Sequence, residues 1–230
     1  MNLKFFIYIN KKMSEEVEIV LNKLDELHIQ EISTKPINKG TGAGGKNTNK
    51  NGKKFEENTD IIPILIELGF QKKFVQKKEK LENGFYFIKT IDENKSSIYV
   101  QQSGLKIYLN NKYKINLNRQ PDGAMIFTNG NKKILHIIEK KAQNVSGSVD
   151  TKLYCGNGFK REYKFYLGDN WRVDYSFCLN DWLKKDYYSD RKKALRKILD
   201  EDSIEVYFGD DDDFKEKILN WIKYPENWDF

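Results

Sequence analysis

Apolar residues recur at helical spacing in Val17, Val20, Leu21, Leu24 and Leu27, behind Ser14 and the acids Glu15 and Glu16. A capping serine followed by first-turn acids predicts a helix from about Glu15 to His28. From about 39 to 54 the chain is Gly, Asn, Thr and Lys with almost no apolar side chain. Such a stretch can bury nothing and predicts a loop or arm. Phe55, Ile61, Ile62, Leu65, Ile66 and Leu68 predict a second helix, closed by Gly69 and with Pro63 as a candidate kink. Between Gly84 and Ile115, short runs of Tyr, Phe, Ile and Val are broken by Asn-Lys, Ser-Gly and Asn-Asn pairs, the pattern of short strands.

Two longer strands follow, Gly123 to Phe127 and Lys133 to Lys141, joined by a turn at Asn129-Gly130 that favours a tight hairpin. Ile134, Leu135, Ile137 and Ile138 are apolar on both faces of the second strand, which marks a central strand covered on both sides. Further on, helix is predicted from Ser148 to about Leu167, with a break at Gly156 to Gly158, then strand from Arg172 to Leu179. Helix from Asp190 to Leu199, strand from Ile204 to Phe208 and helix from Asp211 to Trp221 complete the chain. Strands alternating with helices predict an α/β class, and 230 residues suit one domain over 1–230.

Composition narrows the class. Hydrophobic residues are 39% and charged residues 32% of the chain, which builds a core and excludes general disorder. The longest apolar candidate, Phe5 to Ile9, meets Asn10, Lys11 and Lys12 at once, so no membrane span is expected. Cys155 and Cys178 form neither a CxxC pair nor a Cys/His cluster, which points to a reducing, cytoplasmic setting. A net charge of +6 does not by itself imply nucleic acid. Its distribution says more, with lysines crowded at 46–54 and 71–80 and acids gathered at Asp210 to Asp213.

The chemistry concentrates at the ends of the hairpin. Pro121-Asp122-Gly123 opens its first strand and Glu139-Lys140-Lys141 closes its second. Side chains alternate along a strand, so Glu139 and Lys141 share a face while Lys140 takes the other. The hairpin carries Asp122 back beside them. Two carboxylates, aided by the Lys140 carbonyl, suit a hard cation such as Mg²⁺, with Mn²⁺ as its substitute. An adjacent ammonium can orient water or offset charge on a phosphate, which makes the set one for metal-assisted phosphodiester hydrolysis.

With Pro121-Asp122, sixteen residues, then Glu139-Lys140-Lys141 behind the apolar run Ile134 to Ile138, the chain resembles the PD-(D/E)XK nuclease superfamily. The Gly42 to Asn49 and Gly52 to Glu57 segments, and Glu139 to Asn144 with Gly147 to Leu153, resemble the corresponding regions of type II restriction endonucleases. The resemblance covers roughly 40–180. It implies a restriction-endonuclease-like core, a central mixed sheet flanked by helices, and Mg²⁺-dependent cleavage of double-stranded DNA to 5′-phosphate and 3′-hydroxyl ends. It also implies a homodimer and a further catalytic glutamate at a helix start, for which Glu56 matches better than its neighbour Glu57. Alternatives are a repair or junction nuclease with little sequence preference and a DNA-binding protein that does not cut.

The DNA-contacting candidates are Lys46, Asn47, Asn49, Lys50 and Lys53 of the arm, and Gln143, Asn144 and Ser148 beyond the second hairpin strand. Gly40 to Lys46 also fits GxGxxG and most of GxxxxGK, but Asn47 replaces Ser/Thr and neither flank reads as the required strand or helix, so no nucleotide cofactor is expected. Asp150 and Lys152 fit either the substrate cleft or a helix cap. His136 reads as a core histidine, and His28 as a helix-end charge. Arg191 to Lys197 reads as a solvated helix face or a DNA-backbone helix, Asp210 to Asp213 as helix N-terminal charge.

Overall fold

The computed structural model describes residues 53–74, 84–144 and 148–230, all within the unit that spans Gly42–Phe230. The predicted helix at Glu15 to His28 and the arm residues Lys46, Asn47, Asn49 and Lys50 lie outside the described residues.

Among the described residues the fold is α/β, built on one seven-stranded mixed sheet with helices on both faces. Its strands are β1 (Gln71–Phe74), β2 (Phe85–Thr90), β3 (Lys95–Val100), β4 (Gly123–Asn129), β5 (Lys132–Lys141), β6 (Trp171–Leu179) and β7 (Ile204–Phe208), neighbours in space in that order. β1 to β5 form an antiparallel meander. β6 and β7 then add in parallel through helical crossovers, as parallel pairs require.

One face carries α3 (Gln102–Tyr113), α4 (Val149–Tyr154), α5 (Gly156–Leu167), α6 (Asp181–Tyr187) and α7 (Lys193–Glu201). Leu105, Leu109, Leu153, Tyr163, Leu183 and Leu195 pack there on Ala124, Ile126, Leu135, Ile137 and Phe177. The other face carries α1 (53–58), α2 (Ile62–Glu67) and α8 (Phe214–Ile222), whose Phe55, Leu65, Ile218 and Trp221 cover Met125, Phe127, Ile134 and Ile138. β5 is thus buried on both sides, as its unbroken apolar run predicts.

The structure corrects several expectations. Strand holds over β2 and β3, but Gln102–Tyr113 is helix. Leu105, Tyr108 and Leu109 follow one another at helical spacing and are all buried, so tertiary burial overrides the strand-like composition. The Ser103-Gly104 and Asn110-Asn111 pairs lie inside that helix rather than in turns. The hairpin turn is Gly130-Asn131, one residue beyond the predicted pair, with Asn129 opposite Lys132 and Gly130 at φ +57°. This register matters: Gly123 pairs with Ile138, so Asp122 falls opposite Glu139 instead of Ile137.

The single helix expected from Phe55 to Leu68 is two. Thr59 turns its hydroxyl back onto the Phe55 carbonyl (2.7 Å), and Asp60 accepts the Ile62 N–H (3.1 Å), so the first helix stops and a second starts with Pro63 in its opening turn. α6 falls where the sequence pattern predicts no element. The helix expected from Asp190 begins as a 3₁₀ turn over Asp190–Lys192, and the last helix begins at Phe214 rather than Asp211. Among the described residues no helix is long and apolar enough to cross a membrane.

Candidate active site

The site is built where β4 begins and β5 ends. Gln102 N–H donates to the Pro121 carbonyl (3.0 Å) and holds the residue before Asp122 against the start of α3. Gly123 follows because there is no room for a side chain: a Cβ there would lie 2.8 Å from the Tyr99 hydroxyl and 3.2 Å from Ile138. Asp122 then substitutes for a ladder acceptor, its Oδ2 taking the Lys140 backbone N–H at 2.7 Å.

On the α3–α5 face of the sheet, Lys141 Nζ lies 2.7 Å from Glu139 Oε2, 3.3 Å from Asp122 Oδ2 and 3.0 Å from the Lys140 carbonyl. One cationic atom therefore collects three oxygens from the three expected sources. The side chains of Lys141, Glu139 and Asp122 are 18%, 17% and 29% exposed. Burial pushes the Glu139 carboxyl above its usual range, Lys141 opposes that shift and the adjacent Asp122 carboxylate reinforces it. Burial works against the Lys141 ammonium, but the two acids together hold its pKa above the ordinary value.

Lys140 belongs to the other face, as alternation predicts. Its ammonium donates to the Thr59 carbonyl (2.7 Å) and pins the α1–α2 junction to the end of β5, while burial draws its pKa down. Glu56 is exposed on α1 and acts electrostatically on this same ammonium. The structure thus places Glu56 on the Lys140 side of the sheet, apart from the Asp122, Glu139 and Lys141 group. Glu57 and Lys53 are likewise exposed on α1.

A cleft of about 360 Å³ opens onto Glu139 and Lys141, and Asn118, Arg119, Gln120, Lys152, Phe159, Tyr175 and Phe177 complete its lining. Arg119 pairs with Glu162 and lies over the Phe159 ring at 4.1 Å. Lys152, one of two roles left open in the sequence, faces this cleft. Its neighbour Asp150 does not: it pairs with Lys192, which is buried and also 3.6 Å from Asp186. Asn118, Arg119, Gln120 and Tyr175 escaped sequence reasoning. The first three stand immediately before Pro121-Asp122, which was the available signal.

β5 ends at Lys141, so Gln143 does not continue its face. Gln143 and Asn144 are instead tied to Asn180, which accepts the Gln143 N–H (3.2 Å) and donates to the Gln143 carbonyl (3.1 Å) and to Asn144 Oδ1 (3.3 Å). Ser148 stands just before α4 without a side-chain capping bond. In the acidic run, Asp211 and Asp213 pair with Lys184 and Lys217, and Asp210 accepts the Asp181 N–H.

A larger open groove of about 940 Å³ runs along β7, bordered by His136, Arg172 and Asp174. These close on one another: His136 Nε2 is 2.7 Å and Arg172 Nε 3.1 Å from Asp174 Oδ2. The smaller cleft, with Glu139 and Lys141 on its wall and Asp122 bonded to Lys141, is the better site for chemistry. Among the described residues no group of three or more His, Cys, Asp or Glu side chains is placed to hold a metal, so a cation here would rely on two carboxylates and the Lys140 carbonyl. No family model, curated protein or solved structure matches the chain.

Proposed function

We propose that the chain is a Mg²⁺-dependent endonuclease of double-stranded DNA, with the restriction-endonuclease-like core of the PD-(D/E)XK superfamily and the sequence specificity of type II restriction enzymes. The observation that carries the reading is the meeting of Asp122, Glu139, the Lys140 carbonyl and Lys141 at one point. These residues come from opposite ends of a hairpin and meet where Glu139 and Lys141 open onto a cleft.

The donor set fits a hard cation. Asp122 Oδ2, Glu139 Oε2 and the Lys140 carbonyl all lie within 3.3 Å of the position held by a positive charge, the Lys141 ammonium. These three oxygens would hold Mg²⁺, or Mn²⁺ in its place. When bound, the ion supplies charge to the phosphoryl oxygen and acidifies a nearby water.

Lys141 orients the attacking water and offsets charge developing on the phosphate. The attacking water gives its proton to bulk solvent, which supplies one to the leaving oxygen. Water oxygen bonds to phosphorus in line, the bond to the 3′ oxygen breaks, and the 3′ oxygen leaves with a proton, giving 5′-phosphate and 3′-hydroxyl ends. Lys152, on the cleft wall, meets the phosphate backbone. A palindromic site calls for a two-fold homodimer that places one such cleft on each strand.

Digestion of plasmid DNA in Mg²⁺ tests the reading. Discrete fragments support a restriction enzyme, whereas a smear indicates a nuclease with little sequence preference. Binding without cutting leaves a DNA-binding protein on the same scaffold.

A further inference from the structure

We propose that Tyr163 is a positioning residue which, together with Tyr175, fixes a water molecule on the Glu139 carboxylate at the back of the cleft. Tyr163 is 1% exposed, and its hydroxyl is buried with no hydrogen-bond partner among the described residues. A buried hydroxyl without a partner is costly and uncommon. Interiors satisfy such groups with ordered water where the surroundings are polar, roomy and offer two to four partners.

Polar groups stand near Tyr163. α5 presents Phe159 and, one turn later, Tyr163 to Tyr175 of β6, with ring centroids 6.3 and 6.5 Å away. Tyr175 and Glu139 line the cleft side by side with Phe159. Burial raises both phenols above the ordinary tyrosine range, and after burial the group acting most strongly on each is Glu139. Arg119 and Asp122 also act on both phenols, but Arg119 is paired with Glu162 and lies over the Phe159 ring, and Asp122 is taken up by the Lys140 N–H and the Lys141 ammonium. A water among the Tyr163 hydroxyl, the Tyr175 hydroxyl and the Glu139 carboxylate has three partners. It accounts for the orphaned hydroxyl and holds Glu139 at the angle from which it faces Asp122 and Lys141.

The catalytic role assigned to this water rests on the nuclease reading; its presence does not. Tyr163→Phe removes one oxygen and keeps the ring. The expected result is a melting temperature unchanged or lowered, and kcat reduced about tenfold with KM for DNA unchanged, as when a partner that orients a ligating carboxylate is lost. A melting temperature raised by roughly 5 °C is the mark of removing a hydroxyl that had no partner. That result, or an unchanged kcat, overturns the proposal.

A double-mutant cycle of Tyr163→Phe with Glu139→Gln, read as melting temperature in EDTA, separates the two ideas. Non-additive shifts support the water link and additive shifts overturn it. A wild-type chain that cuts no DNA defeats the nuclease reading and leaves the outcome of the cycle to decide on the water.

Discussion

Replacing Lys141 by Met keeps the apolar stem and removes the ammonium that separates Glu139 from Asp122. In a fully buried pair, loss of one partner costs about 3–5 kcal/mol because the other charge is left uncompensated. Here the three side chains are 17% to 29% exposed, so water screens part of the loss and about 1–3 kcal/mol remains. For a domain of this size that lowers the melting temperature by roughly 3–10 °C.

The deficit depends on pH. The Glu139 pKa is raised in the folded state by burial, against Lys141 and with Asp122. A carboxyl so raised stabilises the fold below its ordinary pKa, and that contribution is lost as pH rises through the folded value. Without the ammonium the folded value moves higher still. The Met variant should therefore melt close to the wild type at about pH 4.5 and show its full deficit at about pH 8. Melts followed by circular dichroism in EDTA measure this, and added Mg²⁺ should raise the variant's melting temperature more than the wild type's, by replacing the missing positive charge. Equal melting temperatures at about pH 8 in EDTA would refute the reasoning, because the acids would then need no counter-charge.

Lys152→Ala should weaken DNA binding across sequences and lower the slope of log K against log salt by about 1, with little change in the cleavage rate at saturating DNA; fluorescence anisotropy over a salt series measures it. Gly209→Ala should destabilise the fold by about 1–3 kcal/mol in a urea titration, because the new Cβ would lie 2.4 Å from Thr59 Cγ2 and 2.7 Å from Phe55 Cε2. It would also disturb the α1–α2 junction that Lys140 holds. Asp122→Asn should keep the fold, since an amide oxygen still accepts the Lys140 N–H, but slow cleavage by about a thousandfold or more through loss of a ligand.

The hairpin was legible because it is specified locally: an apolar run covered on both faces, a Gly-containing turn and chemically distinctive ends. Alternation alone separates Lys140 from Glu139 and Lys141, and the structure bears that out. The exact pairing was not legible, since Asn129-Gly130 and Gly130-Asn131 are both plausible turns and only the observed one sets Asp122 opposite Glu139. α3 was misread because Ile107, Tyr108 and Tyr113 resemble strand composition, whereas its burial comes from packing on a sheet formed by distant residues. The position of Glu56 was beyond spacing arguments. Nothing local determines which face of the sheet α1 covers, and that choice puts Glu56 on the Lys140 side. The cleft wall was obscure for the same reason, because Arg119, Lys152 and Tyr175 converge only through the tertiary fold.

Plasmid cleavage by the wild type and Asp122→Asn, in Mg²⁺ and in EDTA, tests the convergence at the hairpin end most directly. Discrete fragments with 5′-phosphate ends should form with the wild type in Mg²⁺ and with neither EDTA-treated enzyme nor the variant. Intact plasmid in the presence of folded wild type with Mg²⁺ or Mn²⁺, or equal cutting by Asp122→Asn, would contradict it.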